Sequence, residues 1–375
     1  MFTAADHQYM TLALQLAAQG LYSTQPNPRV GCVIVKNNHI VGQGAHLKAG
    51  EPHAEVFALR KAGTDAKDAV AYVTLEPCNH HGRTPPCVDA LINAGVKRVV
   101  VAMQDPNPLV AGNGIKRLQA QGISVEVGLM EAEARALNLG FISRMTRSLP
   151  YVRSKIAASL DGRTALKNGK SLWITGEPAR LDVQHWRAQS CAIVTGIGTV
   201  IADNPTMNVR LQPLSLNDSY RQPLRVIVDS RLQTPVNAKI LDADSIKSSP
   251  VMIAYATDTD NKAAALINTG ATLLHIPDAN RRVDLNALLK HLAQQGMNEV
   301  LLEAGQGLNG AFLNAHLIDE FIFYYAPKLM GADAKAMFAI PELTEMNLAT
   351  NLQILEVRQI GQDIRLRAKP VRAVS

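Results

Sequence analysis

Apolar and polar residues follow two periods along this chain, and together they predict helices alternating with strands. Residues 30–35 form a continuous apolar run typical of a buried strand, and Asn37-Asn38 predicts a turn into a second strand over residues 40–44. Residues 54–62 carry apolar side chains at helical spacing. A further amphipathic helix is expected near the N-terminus, with Asp6 as its N-cap. The chain is therefore expected to begin as an α/β fold containing a hairpin.

Apolar residues at helical and strand spacing continue to about residue 146. The predicted strands are 69–75, 98–102 and 125–127, and the predicted helices are 86–94, 116–121 and 131–142. Strands that alternate with helices indicate a three-layer, largely parallel α/β domain.

A polar segment with a proline, Arg147-Ser148-Leu149-Pro150, predicts a domain boundary. Beyond it the predicted strands begin at Tyr151 and include 224–229, 251–255, 272–276 and 299–302, with a helix over 285–294. Two late β-rich stretches, 320–326 and 352–366, are expected to form antiparallel edge strands. We therefore expect one domain over residues 1–147 and a second α/β domain over 150–375.

Length and composition fit two folded domains. The chain has 375 residues, 47% of them hydrophobic and 19% charged, as in an ordinary globular protein. No apolar run approaches the roughly 18 residues that a membrane helix needs, and the N-terminus lacks a basic signal region. Four cysteines are too few for a disulfide scaffold, so a reducing cytoplasm is expected.

A group of potential metal ligands lies in the first half. Catalytic zinc needs three protein ligands and one open position, and His53, Cys78 and Cys87 supply the three. In zinc deaminases a glutamate two residues after the histidine moves protons, and a proline precedes the first cysteine. Glu55 and Pro77 match both requirements. The sequence therefore predicts a zinc-dependent hydrolytic deaminase of the pyrimidine type.

The spacing of the cysteines leaves one alternative open. Eight residues separate Cys78 from Cys87, where two are commonest, and His80 or His81 could supply a fourth ligand to a closed structural site. Glu55 argues against a closed site. The same loop contains Arg83, which together with the histidines is suited to meet an anionic group.

Several motifs then suggest a family. The matching segments are 26–31, 50–55, 74–78, 86–87 and 104–108 in the first half, and 158–162, 173–175 and the run to Pro205 in the second. In these segments the chain resembles the bifunctional riboflavin-biosynthesis deaminase/reductases, over essentially its whole length. The resemblance implies an N-terminal cytidine-deaminase-like three-layer α/β/α domain, followed by a dihydrofolate-reductase-like α/β domain.

The resemblance also implies two reactions. The first is deamination of 2,5-diamino-6-ribosylamino-4(3H)-pyrimidinone 5′-phosphate with Zn²⁺. The second is reduction by NADPH of the ribosyl group to a ribityl chain. Asn27 and His46 are expected to hold the pyrimidine, since an asparagine offers a donor and an acceptor in one plane.

A second site is predicted after the strand 299–302. The segment 305–310 has the pattern G-x-G-x-x-G between a strand and a helix, as pyrophosphate binding requires. Ser230 and Arg231 are suited to the adenosine 2′-phosphate. By resemblance the cofactor positions are Ala157, Trp173, Thr199, Asp203, Ser230, Gly305, Gln306, Gly307, Leu308, Asn309 and Gly310. The corresponding substrate positions are Ser171, Arg187, Met207, Arg210 and Glu303, with Lys155 as a further polar candidate.

Two other functions fit parts of the sequence. One is a tRNA or nucleoside deaminase with an accessory C-terminal domain, although such proteins usually have the short cysteine spacing. The other is a zinc-stapled module that binds nucleic acid through the net charge of +6. We expect a small phosphorylated pyrimidine as substrate, no nucleic-acid or membrane partner, and a homo-oligomer.

Overall fold

The structure is a computed structural model that describes residues 1–79, 86–108, 110–171, 173–211 and 220–371. It divides into two compact units, Met1–Leu149 and Pro150–Ser375. Among the described residues, no helix is both long and apolar enough to cross a membrane.

The N-terminal unit is a mixed sheet with helices packed on it. Its strands are β1 Gly31–Lys36, β2 His39–Ala45, β3 Val70–Val73, β4 Arg98–Val101 and β5 Ser124–Val127. Its helices are α1 Ala4–Ala18, α2 Ala54–Ala62, α3 Cys87–Asn93, α4 Asn113–Ala120, α5 Glu131–Leu137 and α6 Leu139–Arg147. A 3₁₀ turn, Gly63–Ala66, follows α2. The strand order in the described part is β2-β1-β3-β4-β5. Strand β1 is antiparallel to both its neighbours, and β3, β4 and β5 are parallel.

The predicted hairpin is confirmed. Asn37 and Asn38 both have positive φ angles, 49° and 58°, as a tight two-residue turn between twisted strands requires. The predicted helix over residues 54–62 matches α2.

The predicted N-cap of α1 is wrong. Thr3 is the N-cap, and its hydroxyl accepts the N–H of Asp6 at 3.1 Å. The Asp6 carboxylate in turn accepts the N–H of Thr3 at 2.8 Å, which completes a capping box. Asp6 is buried, where it also accepts hydrogen bonds from Tyr72 and Arg98. These long-range partners explain why this acid lies inside the first helical turn.

The single helix predicted over 131–142 is also wrong, because Asn138 divides it into α5 and α6. The Asn138 side chain accepts the N–H of Arg29 at 2.8 Å and donates to the Arg29 carbonyl at 3.0 Å. Both groups are buried, so the amide pair fixes the start of β1 against the helix break.

Helix α2 lies unusually close to β2. A Cβ atom at Gly44 would stand 2.3 Å from the Ala54 carbonyl oxygen, and one at Gly42 would stand 2.1 Å from that of Ala58. Both distances are far below van der Waals contact, so only glycine fits at these two positions. The contact sets the height of α2 above the sheet.

The C-terminal unit contains one large sheet and a small two-stranded one. Its strands are β6 Tyr151–Ser159, β7 Arg163–Ala165, β8 Ala192–Gly196, β9 Leu224–Val228, β10 Val251–Tyr255, β11 Thr272–His275, β12 Glu299–Leu302, β13 Glu320–Ala326, β14 Lys335–Ala336, β15 Leu352–Ile360 and β16 Asp363–Pro370. Its helices are α7 Glu177–Gln189, α8 Ile197–Asp203, α9 Ala243–Ser248, α10 Ala263–Asn268, α11 Leu285–Gln294 and α12 Gln306–Asn314. Short 3₁₀ turns occur at Lys239–Leu241 and Met346–Leu348.

The large sheet has the order β11-β10-β9-β8-β12-β6-β13-β16-β15 in the described residues. All pairs from β11 to β13 are parallel, and β16 and β15 add an antiparallel hairpin. The prediction that both late stretches form antiparallel edge strands is therefore wrong for β13, which is an interior strand parallel to β6. It is confirmed for β15, the outermost strand.

Buried ion pairs fix the centre of this sheet. Arg153 on β6 bonds to Glu299 on β12 and to Glu320 on β13, and all three are almost completely buried. Arg367 on β16 adds a second bond to Glu320 at 2.6 Å. Since removing one member would leave a buried charge without its partner, the group ties four neighbouring strands together.

We predict that Gly44→Ala lowers the free energy of unfolding of the N-terminal unit by at least ~2 kcal/mol, because the new methyl group collides with the α2 backbone. Urea unfolding of the full chain measures the effect. Gln43→Ala, on the opposite face of β2, is the control and should change stability by less than ~1 kcal/mol. Equal stability of Gly44→Ala and the unsubstituted chain would contradict the close contact.

Candidate active sites

The first site forms at the N-terminus of α2. His53 is the N-cap residue of this helix and Glu55 lies in its first turn. The helix predicted over residues 54–62 therefore holds both residues at its start. Glu55 as a whole is 3% exposed, so it is enclosed by the unit's own core.

The two cysteines approach His53 from the segment after β3 and from α3. Cys87 begins α3, whereas Cys78 lies nine residues earlier and outside that helix. The Cys87 N–H donates to the Cys78 sulfur at 3.3 Å, so both thiols meet at the helix N-terminus. The hydrogen bond between the two sulfurs lowers the pKa of Cys78, and His53 and the Cys87 N–H lower it further, so the thiolate is favoured on Cys78. The same pairing and burial raise the pKa of Cys87.

The spacing of the three side chains fits zinc. His53 Nδ1 lies 3.1 Å from Cys87 Sγ and 3.5 Å from Cys78 Sγ, and the three ligand atoms all lie within 4.8 Å of one another. Tetrahedral zinc, with bonds of about 2.0 Å to nitrogen and 2.3 Å to sulfur, places the nitrogen and a sulfur about 3.6 Å apart. One nitrogen and two sulfurs are also the donor set that zinc prefers.

Glu55 is a buried acid with a free acceptor atom. Its Oε2 is buried and has no hydrogen-bond partner among the described residues. Burial and the neighbouring Cys78 raise the pKa of Glu55 to about 7, and the charge of His53 offsets only part of this. A carboxyl group in this environment can both accept and release a proton near neutral pH.

The two residues expected to hold the pyrimidine meet beside this group. Asn27 Nδ2 lies 3.0 Å from His46 Nε2, and the His46 and His53 rings are in edge contact with centroids 5.2 Å apart. His46 Nδ1 lies 3.1 Å from the Pro52 carbonyl oxygen, and burial lowers the pKa of His46. These partners favour a neutral ring that donates from Nδ1 and accepts at Nε2.

Sequence reasoning missed the structural role of Glu76. Its buried carboxylate accepts backbone N–H groups from Asp105, Gly112, Gly114 and Ile115 at 2.9 to 3.3 Å. It therefore fixes the loop after β4 against the segment that carries Cys78. The signal in the sequence was an acid directly after a buried apolar strand.

Two predictions concern residues of the loop between Cys78 and Cys87 that lie outside the described residues. These are the proposed fourth ligands, His80 and His81, and the anion contact of Arg83. Among the described residues, the ligand cluster comprises three side chains.

The second site is a cleft of about 1400 Å³ at the carboxyl ends of the parallel strands of the large sheet. Loops after β8, β9, β10, β11 and β12 contribute to it, which is where ligands bind in open α/β sheets. The residues predicted for this site that line the cleft are Lys155, Ala157, Ser171, Trp173, Arg187, Thr199, Asp203, Met207, Arg210, Ser230, Arg231, Glu303, Gly305, Gln306, Gly307 and Leu308. The volume exceeds the roughly 300–1000 Å³ of a single small-ligand pocket, so a cofactor and a substrate fit together.

Charged side chains form the floor of the cleft. Arg187 donates two hydrogen bonds to Glu303, at 2.6 and 3.0 Å, and Lys155 Nζ lies 3.8 Å from the same carboxylate. Burial opposes the charge on Glu303, but Arg187 and Lys155 outweigh it and lower its pKa. Burial lowers the pKa of Lys155 despite the nearby carboxylate. Glu303 is thus held ionised.

Other predicted residues lie around the rim. Ser171 donates to Asp203 at 3.1 Å. Trp173 is 64% exposed, and the Arg180 guanidinium lies over its ring at 4.5 Å from the centroid. Arg210 donates to the Thr206 hydroxyl at 2.9 Å. An exposed ring that is already held on one side offers its other face to a planar ligand.

The glycine segment differs from the predicted loop. Gly305 is the N-cap of α12, and residues 306–310 belong to that helix. Asn309 and Gly310 do not line the cleft in the structure. The Asn309 side chain donates to the Ala304 carbonyl and accepts from Ser154, and a Cβ atom at Gly310 would stand 2.1 Å from the Ala339 carbonyl oxygen. The first three residues, Gly305 to Gly307, present the helix N-terminus to the cleft.

This second site fits a phosphorylated dinucleotide. An open helix N-terminus suits a pyrophosphate, and nine lysine and arginine residues line the cleft against two acids, Asp203 and Glu303. Together the two sites define a class of protein: an enzyme that combines a zinc-dependent deaminase with a dinucleotide-dependent reductase.

Comparison with known proteins identifies the family. Residues 3–103 match the cytidine and deoxycytidylate deaminase zinc-binding region, and residues 150–366 match the RibD C-terminal domain. The riboflavin biosynthesis protein RibD of Escherichia coli is 50% identical over 369 residues, which cover 96% of this chain and 98% of that protein. The chain belongs to the RibD family of bifunctional riboflavin-biosynthesis enzymes.

Solved structures agree with this membership. Acinetobacter baumannii RibD is 49% identical with a TM-score of 0.90, covering 98% of this chain and 99% of that one. A Thermotoga maritima diaminohydroxyphosphoribosylaminopyrimidine deaminase/5-amino-6-(5-phosphoribosylamino)uracil reductase is 30% identical with a TM-score of 0.86 and the same coverage. The predicted pairing of a cytidine-deaminase-like domain with a RibD-type reductase domain is confirmed, as is the use of Zn²⁺ and NADPH. A tRNA or nucleoside deaminase with an accessory domain is not favoured.

Proposed function

We propose that this chain catalyses two consecutive steps on one phosphorylated pyrimidine. The N-terminal domain deaminates 2,5-diamino-6-ribosylamino-4(3H)-pyrimidinone 5′-phosphate by hydrolysis. The C-terminal domain then reduces the ribosyl group and yields 5-amino-6-ribitylamino-uracil 5′-phosphate. The main support for the first step is the buried Glu55, whose Oε2 has no partner among the described residues, beside the three side chains that can bind zinc. We assign the first step to residues 1–147 and the second to residues 150–375.

In the first step, His53, Cys78 and Cys87 would hold the zinc, which when bound would polarise a water molecule for attack on the ring carbon that carries the leaving amine. Glu55 lies beside these ligands, where it can accept a proton and deliver it to the amine, which leaves as ammonia. Asn27 and His46 hold the pyrimidine edge so that the ring faces Glu55.

In the second step, the cleft residues orient two ligands. When bound, NADPH supplies the hydride that reaches C1′ of the ribosyl group. Ala157, Trp173, Thr199, Asp203, Ser230 and the segment 305–308 are the proposed cofactor contacts, whereas Asn309 and Gly310 lie outside the cleft. Lys155, Ser171, Arg187, Met207, Arg210 and Glu303 are the proposed substrate contacts. Because Arg187 and Lys155 keep Glu303 ionised, its oxygens can accept hydrogen bonds from the hydroxyl groups of the sugar.

The remaining proposals concern partners and location. Nine lysine and arginine residues line the cleft, where they can bind the phosphate groups of small ligands. This use of the chain's positive charge supports the absence of a nucleic-acid partner. Two of the four cysteines, Cys78 and Cys87, are the proposed zinc ligands, and this use of cysteine supports a reducing, cytoplasmic location. The outermost strand β15 exposes Ile354 by 59% and Val357 by 60%, which supports a homo-oligomer.

We predict that Glu55→Gln lowers the deamination rate by about 100- to 10 000-fold while zinc stays bound, because the amide cannot carry the proton. Ammonia release measures the rate, and elemental analysis measures the zinc. Cys87→Ala should lose the zinc itself. Glu133→Gln, an exposed glutamate on α5, is the matched control. Deamination by Glu55→Gln at the unsubstituted rate would disprove its role.

We predict that Arg187→Lys raises the KM for the deaminated substrate at least ~10-fold, because lysine cannot form the two-bond pair with Glu303. NADPH oxidation by the full chain, supplied with the deaminated substrate, measures this. Arg358→Lys, on the exposed face of β15, should behave as the unsubstituted chain. An unchanged KM in Arg187→Lys would argue against a substrate contact.

We predict a solution mass of two or more chains of 40.5 kDa each in light scattering. Ile354→Lys combined with Val357→Lys should shift this mass towards the single chain, because two charges would face the partner's apolar surface. A mass of one chain at micromolar concentration would contradict the homo-oligomer.

A further inference from the structure

The turn that follows β11 has no role in the function described so far. Its residues Asn280, Arg281, Arg282 and Val283 line the cleft, and two of them are cations. An isolated bridge between Pro277 and Val283 closes the turn, and the Asp278 carboxylate accepts the N–H of Arg282 at 2.8 Å. The Asp278 N–H donates to the Arg282 carbonyl at 2.6 Å. The backbone that carries both arginines is therefore fixed by its own hydrogen bonds.

Arg281 adopts a backbone conformation that is uncommon for its residue type. Its φ angle of 58° lies in the left-handed region, which costs a residue with a Cβ atom about 1 kcal/mol or more. Glycine or asparagine would form the same turn at lower cost. A cost of this kind is common where a side chain serves a ligand.

Ser230 connects this turn to two other loops of the cleft. Its hydroxyl oxygen accepts the N–H of Val283 at 3.2 Å, and its carbonyl accepts the N–H and the hydroxyl of Thr257 at 2.9 and 3.2 Å. The loops after β9, β10 and β11 are thus joined at one residue. Arg231, the neighbour of Ser230, also lines the cleft, so three arginines stand on one connected frame.

These three arginines are not neutralised by the protein. Among the described residues, the guanidinium groups of Arg231, Arg281 and Arg282 have no acidic partner within ion-pair distance. The two acids of the cleft are engaged elsewhere, Asp203 with Ser171 and Glu303 with Arg187. Three guanidinium groups on connected loops of the same cleft suit a dianionic phosphate, which arginine binds with paired hydrogen bonds.

The sheet order places this group away from the reacting end. Glu303 and Gly305 follow β12, and β11 lies four strands from β12, or about 19 Å at the usual strand spacing. In an extended dinucleotide whose nicotinamide is near Glu303 and whose pyrophosphate is at Gly305, the adenosine reaches towards β9 to β11. The extra phosphate of NADPH is on the 2′-oxygen of this adenosine.

We infer that Arg281 and Arg282, together with Arg231, bind the 2′-phosphate of NADPH and give the enzyme its preference for NADPH over NADH. The inference rests on the NADPH-dependent reductase function. It assigns cofactor selectivity to the turn after β11 and makes Ser230 a residue that positions the turn as well as a cofactor contact.

The rival explanation is a general attraction of anions by the basic cleft. Such an attraction acts on the pyrophosphate as well, so it would favour NADPH and NADH alike. Specific binding of the 2′-phosphate acts on NADPH alone. The difference between the two cofactors therefore separates the explanations.

The test measures binding to the full chain by isothermal titration calorimetry. The ligands are NADPH and NADH, and the fragments 2′,5′-ADP and ADP, which differ in the same phosphate. In the double variant Arg281→Ala/Arg282→Ala, NADPH and 2′,5′-ADP should bind about 10- to 100-fold more weakly. NADH and ADP should change less than about threefold. Lys290→Ala, which removes an exposed cation from α11 outside the cleft, should leave all four affinities unchanged.

Arg281→Glu is a second variant, and it should bind NADH at least as tightly as NADPH because the new carboxylate repels the phosphate. Retained NADH binding also shows that each variant is folded. Equal losses for NADPH and NADH, or no loss for either, would overturn the inference. If the unsubstituted chain bound no NADPH, the reductase function would fail and this inference with it.

Discussion

Both sites depend on one geometric constraint, which is that the strands of a parallel sheet all end at the same edge. In the N-terminal unit the segment after β3 carries Cys78, and Glu76 joins it to the loop after β4. In the C-terminal unit the loops after five neighbouring parallel strands form one cleft. Residues far apart in the chain become neighbours for this reason alone.

The two units contain buried glutamates in opposite electrostatic surroundings. Glu55 lies among the metal-ligand side chains, where burial raises its pKa to about 7. Glu303 lies against Arg187 and Lys155, which lower its pKa in spite of burial. The first environment suits a group that exchanges protons, and the second suits a permanent charge that orients a ligand. The same residue type therefore has two proposed roles that its neighbours decide.

The contact between α2 and β2 fixes the position of the first site's residues on α2. Gly42 and Gly44 lie on one face of β2, and their missing side chains let the α2 backbone rest on the strand. His53 and Glu55 begin this helix, so their height above the sheet follows from the contact. The Glu76 carboxylate accepts four backbone N–H groups and in this way fixes the segment that carries Cys78.

The sequence by itself determined what is local or carried by motifs. Residue type and order were enough to predict the zinc ligands and the glutamate beside them, the hairpin at Asn37-Asn38, and helix α2, because short-range periodicity and ligand chemistry are written along the chain. Only the tertiary structure showed that Asn138 breaks a helix, that β13 is an interior strand, and that Asp6 is buried against Tyr72 and Arg98. It also brought Arg231 together with Arg281 and Arg282 around one cleft. Each of these features depends on a partner dozens of residues away or on the order of strands in the sheet, and periodicity along the chain contains no information about either.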